Sequence, residues 1–152
     1  TARIHASVSN ANEPYDVKVT NLSSLSNTLA DAFNVNAKPV WSTSAGSLGS
    51  FSAGATISGL NVQASSDSNV TITETTSVLT SNANTPATTM NLNLAGTPAS
   101  SATYSISGTA PSPTSDQTYN FTLRATDAEG QTVDRQFTLT SSFGATGGGQ
   151  FN

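Results

Sequence analysis

Acidic side chains near the end of the sequence are the groups whose types and spacing could do chemistry. Asp127 and Glu129 stand in the segment DAEG, with Asp116 and Asp134 on either side. Ca²⁺ takes about six to eight oxygen ligands, and carboxylates supply them well. Asp127 and Glu129 are the calcium candidates, although these acids are not spaced like a known calcium loop. The alternative, which we expect, is that Asp127 caps a turn through its own backbone while Glu129 stays solvated, with no metal.

Catalysis has little support in this sequence. His5 is the only histidine and there is no cysteine, so nucleophilic chemistry would have a single imidazole base. No Gly-x-Ser-x-Gly motif is present, and no pair of carboxylates stands out as a glycosidase pair. We expect His5 to be an ordinary surface or strand residue. The sequence predicts a non-enzymatic protein with no catalytic residue and no cofactor.

Composition excludes two further classes of function. The net charge is −4 and only 9% of residues are charged, whereas phosphate-backbone binding needs clustered Lys and Arg. We therefore expect no nucleic-acid partner. No apolar run reaches the roughly 18 residues of a membrane span. The residues are instead rich in Ser, Thr and β-branched types, which favours extended structure.

The elements that must position any site are short strands between residues 39 and 142. Turn signals separate alternating runs at intervals of about 8–12 residues, which is typical of a β-sandwich. The predicted strands are VWST, LNVQA, NVTITETTSVL, MNLNLAG, ATYSISG, TYNFTLRAT and TVDRQFTLT, with AGSLGSFSAG as a glycine-punctuated loop. Trp41 and Tyr104 could stack on carbohydrate, but core positions are the favoured interpretation.

Residues 1–38 are predicted to be an arm for assembly, and residues 143–152 a glycine-rich tail that only a partner would order. Two alternating runs, at residues 4–8 and 15–19, predict short strands. Leucines and a phenylalanine spaced three or four apart predict one short helix within residues 21–36. The fold prediction is therefore all-β: an Ig-like antiparallel β-sandwich over 39–142, with an N-terminal arm of short strands and one helix.

The closing hairpin, TYNFTLRATDAEGQTVDRQFTLT, has the most regular alternation. Its period of two predicts that Tyr119 and Phe121 face a core, with Tyr119 placed as in a tyrosine corner. Gly130 is predicted to take a positive φ in the turn. Arg135 shares the apolar face of the second strand, so we expect a packed stem with its head in water.

This hairpin and the segment PVWSTSAGSLGSF resemble the two ends of bacterial and phage Ig-like repeats related to dystroglycan-type cadherin-like domains. The hairpin matches their Y-x-F-x-(V/L)-x-A-x-D-x-x-G pattern, while residues 61–117 depart from the family. With a Gly-rich tail, such modules are similar to virion structural proteins of tailed phages, notably cyanophages. The resemblance implies a fibre, decoration or adhesion role without catalysis.

Two functions follow as expectations. The first is a virion structural protein, in capsid decoration or a tail or neck fibre, that displays its sandwich at the virion surface. Its partners would be other copies of itself, as a homo-oligomer, and virion proteins. The alternative is a glycan- or surface-binding adhesin module of a bacterial cell surface, with host-surface glycans as partners.

Three Asn-x-Ser/Thr sequons, at Asn21, Asn69 and Asn120, are explained by chance in a chain so rich in these residues.

Overall fold

The computed structural model describes residues 13–83 and 88–143, and these residues form an all-β structure without a helix. Contacts between residues divide the chain into two units, residues 1–37 and residues 38–152. The strands are β1 (Tyr15–Thr20), β2 (Ser26–Phe33), β3 (Val40–Trp41), β4 (Gly46–Ser52), β5 (Thr56–Glu74), β6 (Asn93–Gly96), β7 (Ala99–Thr109), β8 (Gln117–Thr126) and β9 (Thr132–Ser142). The all-β prediction is confirmed.

The first unit contains a β-hairpin in place of the predicted helix. β1 pairs antiparallel with β2, and Val17 lies opposite Leu29. The prediction of a helix within residues 21–36 is therefore wrong, whereas the predicted strand that includes Val17 and Val19 is confirmed. The other predicted strand of the arm, at residues 4–8, lies outside the described residues.

A turn held by a side chain explains why the helical spacing of the leucines does not produce a helix. The Asn21 carboxamide oxygen accepts the N–H groups of Ser23 and Leu25 at 2.9 and 3.0 Å. Ser24 has a φ of 61°, which lies outside the right-handed helical region. A spacing of four, as between Leu25 and Leu29, also fits one face of an extended chain. The pattern was therefore ambiguous, and the local hydrogen bonds decided it.

The second unit is a β-sandwich whose two sheets share the long strand β5. The first half of β5 pairs with β3 and β7, and β6 follows β7; we call this the β7 sheet. The second half pairs with β8, followed by β9 and β4; we call this the β8 sheet. A register shift between Ser65 and Val70 marks the crossing. The prediction of two separate strands here is wrong, because a bulge bends a strand without ending it.

Strand β4 departs twice from the prediction. The segment AGSLGSFSAG was expected to be a loop, but Gly46–Ser52 forms a strand. This strand pairs parallel with β9 and places Ser47 beside Thr138. The sandwich is therefore mixed and not purely antiparallel. Serine and glycine have little strand propensity of their own, so the pairing with β9 is what makes this segment extended.

The core between the sheets is centred on three aromatic rings. Trp41 of β3 meets Phe137 of β9 edge to face at 5.5 Å between centroids, and Phe137 lies 6.1 Å from Phe121 of β8. The Trp41 indole N–H also donates to the Val133 carbonyl at 3.0 Å. These contacts join the β7 sheet to the β8 sheet. The predicted core positions Trp41, Tyr104, Tyr119 and Phe121 are all buried, and so are Leu123, Ala125, Phe137 and Leu139 of the same hairpin.

The turn of the closing hairpin forms as predicted, but the Arg135 side chain does not lie where it was expected. Gly130 has a φ of 83°, and its N–H donates to the Asp127 carbonyl at 3.2 Å. Arg135 was expected to place its head in water; the guanidinium instead donates to the carbonyl of Thr43. That expectation is wrong because the segment following Trp41 lies alongside β9 and offers Arg135 a carbonyl.

Gly96 allows β6 to approach β7 closely. It lies opposite Tyr104 in the register. A Cβ at this position would lie 2.5 Å from the Tyr104 ring and 2.7 Å from the carbonyl oxygen of Thr103. The ring is part of the core and the carbonyl is backbone, so neither can move away easily.

We predict that Gly96→Ala lowers the free energy of unfolding by about 1–3 kcal/mol, because the added methyl overpacks the contact with Tyr104. Chemical denaturation of the two proteins measures the difference. Ala95→Ser, at the exposed neighbouring position, is the matched control and should stay within about 0.5 kcal/mol. Equal stability of wild type and Gly96→Ala would contradict the close approach.

Candidate functional site

An open groove on the outer face of the β8 sheet is the candidate site. Its volume is about 540 Å³, within the range of roughly 300–1,000 Å³ seen for small-molecule sites. Side chains that both donate and accept hydrogen bonds line it: Thr76, Asn120, Thr122, Gln136 and Thr138. No charged side chain is among the described residues that line it.

Strand alternation places these polar groups in two rows. In the β8–β9 register Asn120 lies opposite Thr138, and Thr122 lies opposite Gln136. Each row therefore pairs one carboxamide with one hydroxyl. Directly opposite residues on one face have Cβ atoms about 4.5–5.5 Å apart, so a bound group could contact both members of a row.

Beyond the rows, at each end of the β8–β9 ladder, lies a pair of residues whose side chains hydrogen bond to each other. The hydroxyls of Thr118 and Thr140 are 3.0 Å apart. At the other end Arg124 holds Asp134 through two hydrogen bonds, at 2.7 and 2.8 Å. This contact lowers the pKa of the Asp134 carboxyl and raises that of Arg124. Arg124 and Asp134 thus hydrogen bond to each other, and the two neutral rows lie between this ion pair and the Thr118–Thr140 pair.

The floor of the groove is backbone, not an aromatic surface. Phe121 lies opposite Phe137 between the two rows. Both residues line the groove, yet their exposed fractions are 1% and 0% because the rings point into the core. The groove therefore offers hydrogen bonds but no ring for stacking.

One side of the groove is anchored by Thr76. Its hydroxyl accepts the N–H of Thr122 at 3.1 Å and donates to a Glu74 carboxylate oxygen at 2.8 Å. The N–H of Thr75 donates to the Thr122 carbonyl at 3.0 Å. These bonds hold the chain leaving β5 against β8, so Thr76 keeps a defined place beside the rows.

Glu74 organises the loop that follows it. Its Oε1 accepts the N–H groups of Val78 and Leu79 at 2.6 and 2.8 Å. Its Oε2 accepts the N–H and hydroxyl of Thr80 at 2.9 and 2.8 Å. Burial raises the pKa of this carboxyl, but the hydrogen bonds from residues 78–80 outweigh it, so the pKa falls below its ordinary value of 4.5. The ionised form of Glu74 is therefore favoured in the folded protein.

We predict that Glu74→Gln costs about 1–2 kcal/mol of unfolding free energy near pH 7, since the partly exposed carboxylate loses charge-assisted bonds. The folded-state pKa lies below the unfolded-state value. The contribution of Glu74 is therefore complete above about pH 4.5 and is lost as the pH falls through the folded-state pKa.

Denaturation of both proteins across a pH series measures this dependence. The stability difference should be constant from pH 6 to 7 and shrink in acid. Glu129→Gln, an exposed carboxylate with one hydroxyl donor, is the control near neutral pH. A difference that grew on acidification would contradict the role of Glu74.

Asp127 and Glu129 are both involved in the turn. Asp127 is 5% exposed, and its Oδ1 accepts the N–H of Gln131 at 2.7 Å, as the turn-capping alternative predicts. Its Oδ2 is buried without a hydrogen-bond partner in the described part of the chain. Glu129 is exposed and accepts the hydroxyl of Ser68, whose oxygen also accepts the N–H of Ala128.

The other two acids do not join them. Asp116 accepts the N–H of Phe143 at 2.7 Å, and Asp134 is bound to Arg124. Across residues 13–83 and 88–143, no group of three or more His, Cys, Asp or Glu side chains could hold a metal ion. The acids around Asp127 therefore do not fit the roughly six to eight oxygens that Ca²⁺ requires.

We predict that millimolar calcium leaves the melting temperature unchanged relative to a chelator, because too few carboxylates converge. Thermal unfolding in the two buffers measures this. A rise of several degrees in calcium that Asp127→Asn abolished would instead establish Asp127 as a ligand, since a ligand that binds only the folded state raises the melting temperature.

Sequence reasoning missed the groove, although the signal was present. The alternation of the closing hairpin assigned Tyr119 and Phe121 to the core but left the intervening Asn and Thr as solvent-facing residues. Register was needed to pair them with Gln136 and Thr138. Trp41 and Tyr104, considered for carbohydrate stacking, are 5% and 6% exposed and belong to the core. His5 lies outside the described residues.

Comparison with known proteins adds little to this geometry. No family model matches the chain, and no curated protein does. A solved structure, the sialic acid binding region of a Streptococcus sanguinis SK1 adhesin bound to 3'sLn, is similar with a TM-score of 0.47 and 18% identity. The match covers 82% of this chain and 34% of that chain, so this chain spans about a third of its length. A likeness this loose carries no argument about function.

Nothing in the described residues forms a helix long and apolar enough to cross a membrane.

Proposed function

We propose that the sandwich is a non-enzymatic binding module of an adhesin type, displayed at a cell surface, which takes a carbohydrate in the β8 groove. The observation that carries the proposal is the pair of hydroxyl–carboxamide rows, Asn120 with Thr138 and Thr122 with Gln136. Carboxamides present two donors and an acceptor, and hydroxyls do both. Sugars present the same mixed chemistry around each ring.

The strands that carry the rows provide a rigid backbone for such a site. The rows lie on two strands that pair without a break from Gln117 opposite Ser141 to Thr126 opposite Thr132. The backbone of paired strands is already ordered, so binding has to fix only the side chains and not a loop.

We predict that the intact chain binds glycans on an array and that the double variant Asn120→Ala/Gln136→Ala loses this binding, by more than about tenfold, because each row loses its carboxamide. Gln63→Ala is the matched control, since Gln63 is exposed on the other sheet and bonds to Thr103 at 2.8 Å. Both variants should have the same melting temperature as the wild type. Unchanged binding by the folded double variant would remove the groove from the proposal.

We also propose a second function, assembly of copies of the chain within a virion; the β1–β2 hairpin supports the self-association that this function requires. Its apolar side chains Val19, Leu22, Leu25 and Leu29 are between 67% and 107% exposed. A two-stranded hairpin is at best marginally stable alone in water. Among residues 13–83 and 88–143, neither β1 nor β2 pairs with any other strand. A second copy of the hairpin would bury the apolar face and pair an edge, which is the self-association expected of a decoration or fibre protein at the virion surface.

We predict that the wild type self-associates with increasing concentration and that Val19→Thr/Leu29→Thr shifts it toward monomer, because threonine keeps strand propensity while removing apolar surface. Sedimentation velocity over a concentration series measures this. Lys18→Thr, on the opposite face of β1, is the control and should associate like the wild type. A wild-type chain that stays monomeric throughout would exclude assembly through the hairpin.

A further inference from the structure

We propose that the β8 groove selects neutral glycans and discriminates against acidic ones. This rests on the proposed function and names its ligand class. The groove bears no charged side chain among its described lining residues, and its polar groups are all hydroxyls and carboxamides. These side chains would hydrogen bond to the hydroxyl and acetamido groups of a glycan, and they offer no positive charge to a carboxylate.

Two cations lie on the β8–β9 ladder, Arg124 and Arg135. Arg135 lies opposite the buried Leu123 and donates to the Thr43 carbonyl. Arg124 lies on the same face as the two rows. It holds Asp134 through a bidentate contact at 2.7 and 2.8 Å. Asp134 thus takes two of the five guanidinium N–H donors and offsets the positive charge of Arg124. A sugar carboxylate would either displace Asp134, which trades one carboxylate for another, or share an already paired Arg124, and an exposed contact of this kind contributes little.

The other charge near the groove is negative. Glu74 lies directly behind Thr76, with its carboxylate oxygen 2.8 Å from the Thr76 hydroxyl. The pKa of Glu74 is lowered below its ordinary value, so the group is ionised at neutral pH. The whole chain also carries a net charge of −4. An acidic glycan would give up hydration and meet a like charge without a compensating cation.

The floor restricts the mode of contact as well. Phe121 and Phe137 are 1% and 0% exposed, so no aromatic face can stack on a sugar ring or a base. The ligand must therefore be held by hydrogen bonds from its edge. Rows on one face of a strand repeat at about 6.8 Å, twice the rise per residue, so Asn120–Thr138 and Thr122–Gln136 can contact separate groups of one extended ligand.

An array of glycans in matched pairs, each pair differing only by a terminal sialic acid, tests the selectivity with the intact chain. We expect the neutral member of each bound pair to bind more tightly than the acidic one, and equal binding of the two members would overturn the selectivity. Binding should change by less than about twofold between about 50 and 500 mM NaCl, since screening acts only on charged contacts. Tighter binding of acidic members, lost at high salt, would overturn neutral selectivity while leaving the proposed binding function intact.

A variant that adds a cation gives a second, independent readout. Gln136→Lys should raise binding of the acidic member relative to the neutral one by about twofold to fivefold, the scale of an exposed ion pair. The control Gln63→Lys adds the same charge to the other sheet and should leave the ratio unchanged. An equal change in both variants would place the ligand outside the groove and overturn the inference. No binding of any glycan would end both the inference and the proposed function.

Discussion

The contact between Trp41 and Phe137 joins the two sheets of the sandwich, and the groove depends on it. Phe137 packs against the Trp41 indole at 5.5 Å and against Phe121 at 6.1 Å between ring centroids. Successive side chains of a strand point to opposite faces. Fixing Phe121 and Phe137 in the core therefore fixes Thr122 and Gln136 on the outer face. A slip of one residue in register would bury the polar rows and expose the rings, so the packing of the core and the chemistry of the groove cannot vary independently.

Strand β5 extends this constraint to the side of the groove. It belongs to the β7 sheet in its first half and to the β8 sheet in its second, and its last residue, Glu74, gathers the N–H groups of the next loop. The same carboxylate receives the hydroxyl of Thr76. A residue whose first role is to satisfy backbone donors thus also places a groove-lining side chain and sets a negative charge behind it. In the proposed function, the Glu74 carboxylate would therefore serve both structural support and ligand selectivity.

The two units differ in how completely they satisfy their own apolar surface. The sandwich buries Trp41, Phe121, Phe137 and their neighbours within itself. The β1–β2 hairpin leaves Leu25 and Leu29 71% and 67% exposed, and a two-stranded sheet has no interior to receive them. The proposed binding by the sandwich and the proposed association by the hairpin use residues of different units. A chain that did both would display several copies of one site, and multivalency raises avidity without new contacts.

The sequence alone determined the all-β class, the inward residues of β8 and β9, the Gly130 turn and the core position of Trp41, because period-two alternation and turn chemistry act locally. It could not determine the parallel β4, the continuous β5 or the hairpin in place of a helix. β4 is extended by its partner β9, and β5 bends at a bulge between two sheets. In the hairpin, Asn21 hydrogen bonds override a leucine spacing that fits two structures. The groove was also beyond the sequence, since Asn120 meets Thr138, and Thr122 meets Gln136, only through the register between strands.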